Sequence, residues 1–340
     1  MLNLVKELCR LRGVSSGEDD VRDYLLARCR PNADTVKVDA LGNLIVFKRG
    51  EKSTGNRLML TAHMDEVGFI VNDITEDGYL KFAPVGGIDP RVVIGKRVNV
   101  GHSEIPGVIG LKAYHLVSAE EEKKVPGFED MYIDIGAKDR ADAEHAAALG
   151  DLVSFDCDPV EFGSGMLKAR ALDDRVGCAV MLKLIEEELP MDCTFVFTVQ
   201  EEVGTRGAFG AAFSVTPEIA LVLEGTTAAD LPGMEEHRKV AALGKGPVLS
   251  FMDHGAIYDH GLFVLLRDLA ERHAIPWQAK QYISGGNDAS AIQRTKEGVR
   301  VAAVSTPIRY LHAPSGVVCC QDFEYVHGLV RHFIEALAAS

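Results

Sequence analysis

Apolar positions along this chain gather into short β-rich runs that stop abruptly at polar residues. Residues 195–199, F-V-F-T-V, form such a run, and just beyond it stand two adjacent carboxylates, Glu201 and Glu202, before a turn through Gly204 and Gly207. Residues 57–62 lead in the same way into His63 and Asp65, and residues 219–223 into Glu224. A buried strand that ends in charge delivers that charge to the carboxyl edge of a sheet, where α/β folds build their sites. Helical spacing predicts helices over 2–12, 18–29, 176–188, 206–213, 261–273, 288–294 and 322–338. Further strands are expected at 193–199, 248–252, 276–280 and 299–304, and 36–39 with 43–47 form a hairpin around Ala40-Leu41-Gly42. A long loop over 306–318 carries His312. Alternating strands and helices imply an α/β fold with a mainly parallel sheet covered on both faces.

From about Val67 to Ser164 the texture changes. Short alternating strands at 68–71, 98–100, 108–111 and 131–135 are separated by turns at Asp77-Gly78 and Gly86-Gly87, with one helix near 141–149. That spacing suggests a small β barrel or sandwich. Because the α/β rhythm stops before it and resumes after it, the stretch reads as an inserted domain. The expected division is a catalytic α/β domain in two parts, residues 1–66 and 165–340, around an inserted β-barrel domain, residues 67–164.

Composition narrows the class. The chain has 340 residues, 47% hydrophobic and 25% charged, the balance of a globular protein. A net charge of −14 argues against nucleic acid and against anionic membrane surfaces. Seven cysteines without a C-x-x-C suggest no disulfide framework and fit a reducing cytoplasm. The first residues form a charged amphipathic pattern rather than a signal peptide, and no apolar run is long enough to span a membrane.

Five places share one feature, a metal-type ligand at or beside the end of an apolar strand: His63, Asp173, the Glu201-Glu202 pair, Glu224 and His312. Histidine and carboxylate donors suit Zn²⁺, Co²⁺ or Mn²⁺. Two such ions need a bridging carboxylate, and they share one activated water. Two histidines, a bridging aspartate, two terminal carboxylates and one free carboxylate as base complete that inventory. Asp65, two residues after His63, is placed to accept the other ring N–H and set the tautomer. Taken singly, each residue also has an ordinary reading, Asp173-Asp174 as a helix cap or His312 as a loop histidine.

The motifs H-M-D-E-V-G-F, A-L-D-D-R-V-G, V-Q-E-E-V-G-T-R-G-A and R-Y-L-H-A-P, in this order, resemble those of the tetrahedral (TET) aminopeptidases. These include glutamyl, lysyl and deblocking aminopeptidases and proteins once labelled cellulase M. The resemblance spans essentially the whole chain. It implies a phosphorylase/hydrolase-like metallopeptidase domain interrupted by a PDZ-like barrel used for dimerisation and substrate access. It also implies two divalent ions per subunit and dimers assembling into a dodecamer with an interior chamber. By this resemblance His63 is a ligand of the first metal with Asp65 orienting it, and Asp173 is the bridge. Glu201 is then the general base, and Glu202 and His312 are ligands of the second metal. Glu224 stands where many members have an aspartate ligand of the first metal, and Asp230 is its rival. The loop 285–289, G-G-N-D-A, resembles a family G-G-T-D-A segment for which turn geometry is the simplest role; His115 in the inserted domain is a more remote candidate.

The expected activity is hydrolysis of the N-terminal residue from short peptides. A water shared by the two metals loses its proton to Glu201, which passes it on to the leaving amine. Arg206, Lys245 and Arg309 are candidate cations for an acidic substrate side chain. Alternatives on the same residues are a deacylase or carboxypeptidase. A glycoside hydrolase would need two metal-free carboxylates ~5–9 Å apart. A non-catalytic peptide-binding protein is the third possibility.

Overall fold

Four apolar runs lie side by side as parallel strands at the centre of the fold, in the order Cys193–Thr198, Leu58–His63, Ile219–Thr227 and Arg300–Ile308. The computed structural model describes residues 1–54 and 57–339; Gly55, Asn56 and Ser340, which fall within the two catalytic segments expected above, lie outside the described residues. The central strands belong to an eight-stranded sheet. The hairpin Thr35–Val38/Leu44–Lys48 adds to it antiparallel on one side. On the other, Val248–Leu249 pairs antiparallel with Arg300–Ile308 and parallel with Gln278–Ala279. The sheet is therefore parallel at its centre and mixed toward its edges. Parallel neighbours need long crossovers, here helical, whereas a tight hairpin can add only an antiparallel strand.

Alternate residues of the central strands enter different cores. Leu58, Leu60 and Ala62 pack with Val176, Leu182, Phe323 and Phe333, from the helices Leu172–Glu186 and Cys320–Ala339. Met59 packs instead with Val196, Ala208, Ala212, Val222 and Ala289, beneath the helices Arg206–Val215 and Ala289–Ile292. The two-residue side-chain period of a strand accounts for this division.

Six strands close into a barrel in the order Gly68–Ile74, Leu80–Val85, Tyr132–Asp134, Ile105–Gly110, Arg97–Val100 and Leu152–Phe155. Phe69, Phe82, Val98, Ile109, Ile133 and Phe155 fill it. Leu80–Val85 and Leu152–Phe155 escaped the sequence reading: the first contains Pro84, which weakens a strand signal, and the second is a very short apolar run.

Several boundaries differ from expectation. The first helix is Leu2–Leu8, and the strand expected over 248–252 contracts to two residues. The loop expected over 306–318 is a brief turn, because the chain stays extended to Ile308 and returns as the strand Gly316–Cys319. That strand pairs antiparallel with Met166–Ala169, outside the main sheet, and so clamps the turn that carries His312. Among the described residues no helix is long and apolar enough to cross a membrane.

A buried ionic cluster anchors the H-M-D-E segment. Fully buried Arg175 donates from Nε to the carbonyl of Met64 at 2.9 Å, and from Nη1 to those of Leu8 at 2.6 Å and Leu11 at 3.0 Å. Glu66 pairs with Arg170, and Arg175 Nη2 stands 3.6 Å from the same carboxylate. Removing one member of a buried ionic network strands the others without solvent. Arg175→Met is accordingly expected to lower unfolding free energy by about 3 kcal/mol, measured by urea titration against the unaltered protein.

Candidate metal centre

The polar strand ends converge because of register. Thr198 lies opposite His63, and Val222 opposite Thr61, so Glu224 reaches the level of His63 on the same face of the sheet. The chain then turns sharply where side chains must enter the site. Ala171, Gln200 and His312 all adopt left-handed backbone, with φ of 53°, 57° and 56°. Such conformations cost about 1–3 kcal/mol each for residues with a side chain, and they concentrate at functional sites. Asp173 and Asp174 depart from helical geometry at the start of Leu172–Glu186, which points Asp173 toward the strand ends rather than along the helix.

Both histidines present the same tautomer. His63, 1% exposed, donates from Nδ1 to the main-chain carbonyl of Asp65 at 3.0 Å. His312 donates from Nδ1 to the carbonyl of Gly87 at 2.9 Å. A neutral ring that donates at Nδ1 offers a lone pair at Nε2. His63 Nε2 lies 3.3 Å from both Asp173 Oδ1 and Glu224 Oε1. His312 Nε2 lies 3.5 Å from Asp173 Oδ2 and 3.2 Å from Glu202 Oε2. Ligand atoms of His63, Asp173 and Glu224 fall within 4.8 Å of one another, as do those of Asp173, Glu202 and His312. Asp173 alone belongs to both groups, offering one oxygen to each.

Asp65 meets the Nδ1 side of the His63 ring with both its main chain and its carboxylate. Its main chain, not its carboxylate, takes the closer bond from His63; the carboxylate Oδ1 stands 3.4 Å away. That buried carboxylate accepts from the backbone N–H of Glu201 at 3.0 Å and of Glu202 at 3.1 Å, and from Ser15 Oγ at 2.7 Å. Asp65 thus ties the end of one strand to the Glu201-Glu202 pair that follows the next.

The charge balance is that of a cation site. Burial first, and then repulsion from Asp173, pushes the Glu202 carboxyl up to about 7 and that of Glu224 well above its usual range. Burial and the neighbouring carboxylates Asp288, Glu202 and Asp65 raise Glu201 likewise. Against the cost of burial, Asp173 and Glu202 raise the His312 ring to about 9, and Glu224, Asp173 and Asp65 raise His63. Ring Nε2 atoms and carboxylate oxygens face one another across less than 4 Å, bridged by the rings' second protons, which divalent ions would displace on binding. The donor set fits such ions. Glu201 belongs to neither group of ligand atoms and lines the adjoining cavity.

The other candidates lie apart. Asp230 is held by Arg309 through two bonds of 2.6 and 2.7 Å and joins neither group, so Glu224 occupies the place beside His63. Arg206 and Lys245 are exposed, and His115 is exposed on the turn Tyr114–Leu116. In the loop 285–289, Asn287 Oδ1 accepts from Ala289 N at 2.9 Å, the expected turn role. Sequence reasoning missed Asp288, Ser15, Gly87 and Lys280. Asp288 is buried, accepts from Thr198 Oγ1 at 2.6 Å and is pushed up to about 6 by burial. The G-G-N-D-A loop was the one available signal for it. Gly87 acts only through its carbonyl, which no residue type announces.

A family model described as M42 glutamyl aminopeptidase matches residues 42–329. The chain is 31% identical to the lysyl aminopeptidase of Pyrococcus furiosus, covering 98% of this chain and 96% of that one. It is equally 31% identical to the glutamyl aminopeptidase of Lactococcus lactis, over 99% and 96%. The TET1 peptidase of Pyrococcus horikoshii, which can assemble into a tetrahedron or a large octahedral shell, superposes with a TM-score of 0.85 at 34% identity, over 99% and 98% of the two chains.

Proposed function

Since the chain belongs to the M42 glutamyl aminopeptidase family of metallo-aminopeptidases, we propose that it removes the N-terminal residue of short peptides at a site for two divalent ions held by His63, Asp173, Glu224, Glu202 and His312. The observation that carries this reading is the pair of Nε2 atoms facing opposite oxygens of one shared carboxylate, Asp173. Bound Zn²⁺, Co²⁺ or Mn²⁺ would act as Lewis acids, polarising a carbonyl and lowering the pKa of water.

The protein's own part follows from its geometry. Glu201 takes the proton of the attacking water and returns it to the leaving amine. Asp65 keeps the backbone of Glu201 and Glu202 in place, and Asp65 and Gly87 keep both rings in the ligand tautomer. Residues 67–164 act as an inserted unit, joined to the site through the Gly87 carbonyl. The protein works as a homo-oligomer, dimers building a dodecamer that admits short peptides; the assembly of the Pyrococcus horikoshii relative supports this. Its seven free cysteines suit a reducing cytoplasm.

Chelator-stripped protein should release nothing from aminoacyl anilides. Reloading with Zn²⁺, Co²⁺ or Mn²⁺ should restore cleavage of free-amine substrates but not of acylated ones. Preferential cleavage of acylated or carboxyl-terminal substrates would overturn the reading in favour of a deacylase or carboxypeptidase.

A further inference from the structure

A cavity of about 260 Å³ opens beside the site, lined by Asp173, Glu201, Glu202, Glu224 and His312 and closed by Lys280 with the loop 284–287. It is smaller than pockets that enclose drug-sized ligands, a size suited to one side chain. Every charged group on its lining has a role in the proposed chemistry except Lys280. The residue is 8% exposed, and its backbone N–H donates to Leu249 O at 2.9 Å, which fixes it at the edge of the main sheet. Its ammonium has no hydrogen-bond or ion-pair partner among the described residues.

The neighbouring carboxylates favour the charge of Lys280 from a distance but none forms an ion pair with it. Asp253 accepts from Gly255 N and Ala256 N at 2.7 Å each and from Tyr258 Oη at 2.5 Å. Glu224 and Asp173 face His63. Burial lowers the proton affinity of Lys280, while Asp253, Glu224 and Asp173 act to hold the charge. Lys280 lines the cavity with its ammonium free of any direct hydrogen bond or ion pair among the described residues, so an anionic group entering the cavity can pair with it. The cations singled out from sequence do not compete, since Arg309 is paired with Asp230 and neither Arg206 nor Lys245 lines the cavity.

We infer that Lys280 is the specificity-determining residue of this cavity, where it receives the carboxylate of a glutamate or aspartate side chain at the substrate's N-terminus. The inference rests on the aminopeptidase reading above and deepens it. Relatives of equal identity carry lysyl and glutamyl names, so kinship leaves the choice open.

The test compares metal-loaded unaltered protein, Lys280→Gln, Lys280→Glu and the exposed control Lys245→Gln on anilides of glutamate, leucine and lysine. The unaltered protein and the control should prefer glutamate. Lys280→Gln should lose about 10- to 100-fold in kcat/KM for glutamate, the worth of a charged hydrogen bond, with little change for leucine. Lys280→Glu should turn the preference toward lysine. An unchanged glutamate-to-leucine ratio in Lys280→Gln would overturn the inference while leaving the aminopeptidase reading intact. If no anilide is cleaved by any metal form, the aminopeptidase reading fails, and thermal shift with free L-glutamate and L-lysine decides Lys280 separately. Stabilisation by glutamate alone, lost in Lys280→Gln, would support it, and equal shifts would overturn it.

Discussion

Asp173→Ala is expected to abolish peptide cleavage and to remove bound metal, with both ions affected rather than one. Asp173 is the single residue shared by the two ligand groups, with Oδ1 3.3 Å from His63 Nε2 and Oδ2 3.5 Å from His312 Nε2. Oδ1 also accepts from Gly225 N at 3.2 Å, which fixes the carboxylate's orientation. Deleting it leaves each histidine with one remaining carboxylate, Glu224 or Glu202. Loss of a group that merely orients a metal ligand costs ~10–100-fold, and loss of the shared ligand itself should exceed this. Metal analysis after gel filtration, beside circular dichroism to show a retained fold, checks the outcome. Two ions per chain in the variant would refute the bridging role.

Glu201→Gln should behave in the opposite way, keeping its metals while turnover falls by ~10²–10⁴-fold, the usual contribution of a general base. The amide matches the carboxylate in shape but cannot accept a proton. Glu201 stands in neither ligand group, so its replacement leaves the donor set whole. Its backbone N–H remains bonded to Asp65 Oδ1 at 3.0 Å whatever the side chain, so the neighbouring Glu202 stays in position. Comparing kcat with metal content in the same preparation separates the two roles. Near-normal turnover with metal bound would remove Glu201 from the mechanism.

The resemblance already present in the motifs named the same His, Asp and Glu residues that the fold brings together. His63 ends its strand, Glu201 and Glu202 follow one and Asp173 opens a helix, whereas Glu224 lies within the strand Ile219–Thr227 and His312 in a turn between strands; local pattern is most informative where a run of buried residues gives way to charge. The barrel was legible as texture, though Pro84 hid one of its strands. The loop carrying His312 was read too long, since the pairing of Gly316–Cys319 with Met166–Ala169 joins segments far apart in sequence. Local pattern cannot foresee such a partner.

From the sequence alone came the α/β class with an inserted β-rich unit, the ligand types and the family. Tertiary structure decided which near-equivalents are used. Glu224 rather than Asp230 stands beside His63, because Arg309 closes on Asp230. Asp65 binds the Glu201-Glu202 backbone with its carboxylate and His63 with its carbonyl. Gly87, far away in sequence, sets the tautomer of His312. Lys280 gives no local signal at all: its burial and its unpartnered ammonium exist only once the sheet edge and the loop 284–287 enclose the cavity. Residue type and period travel along the chain, whereas hydrogen-bond partners and desolvation are set by whatever the fold packs against them.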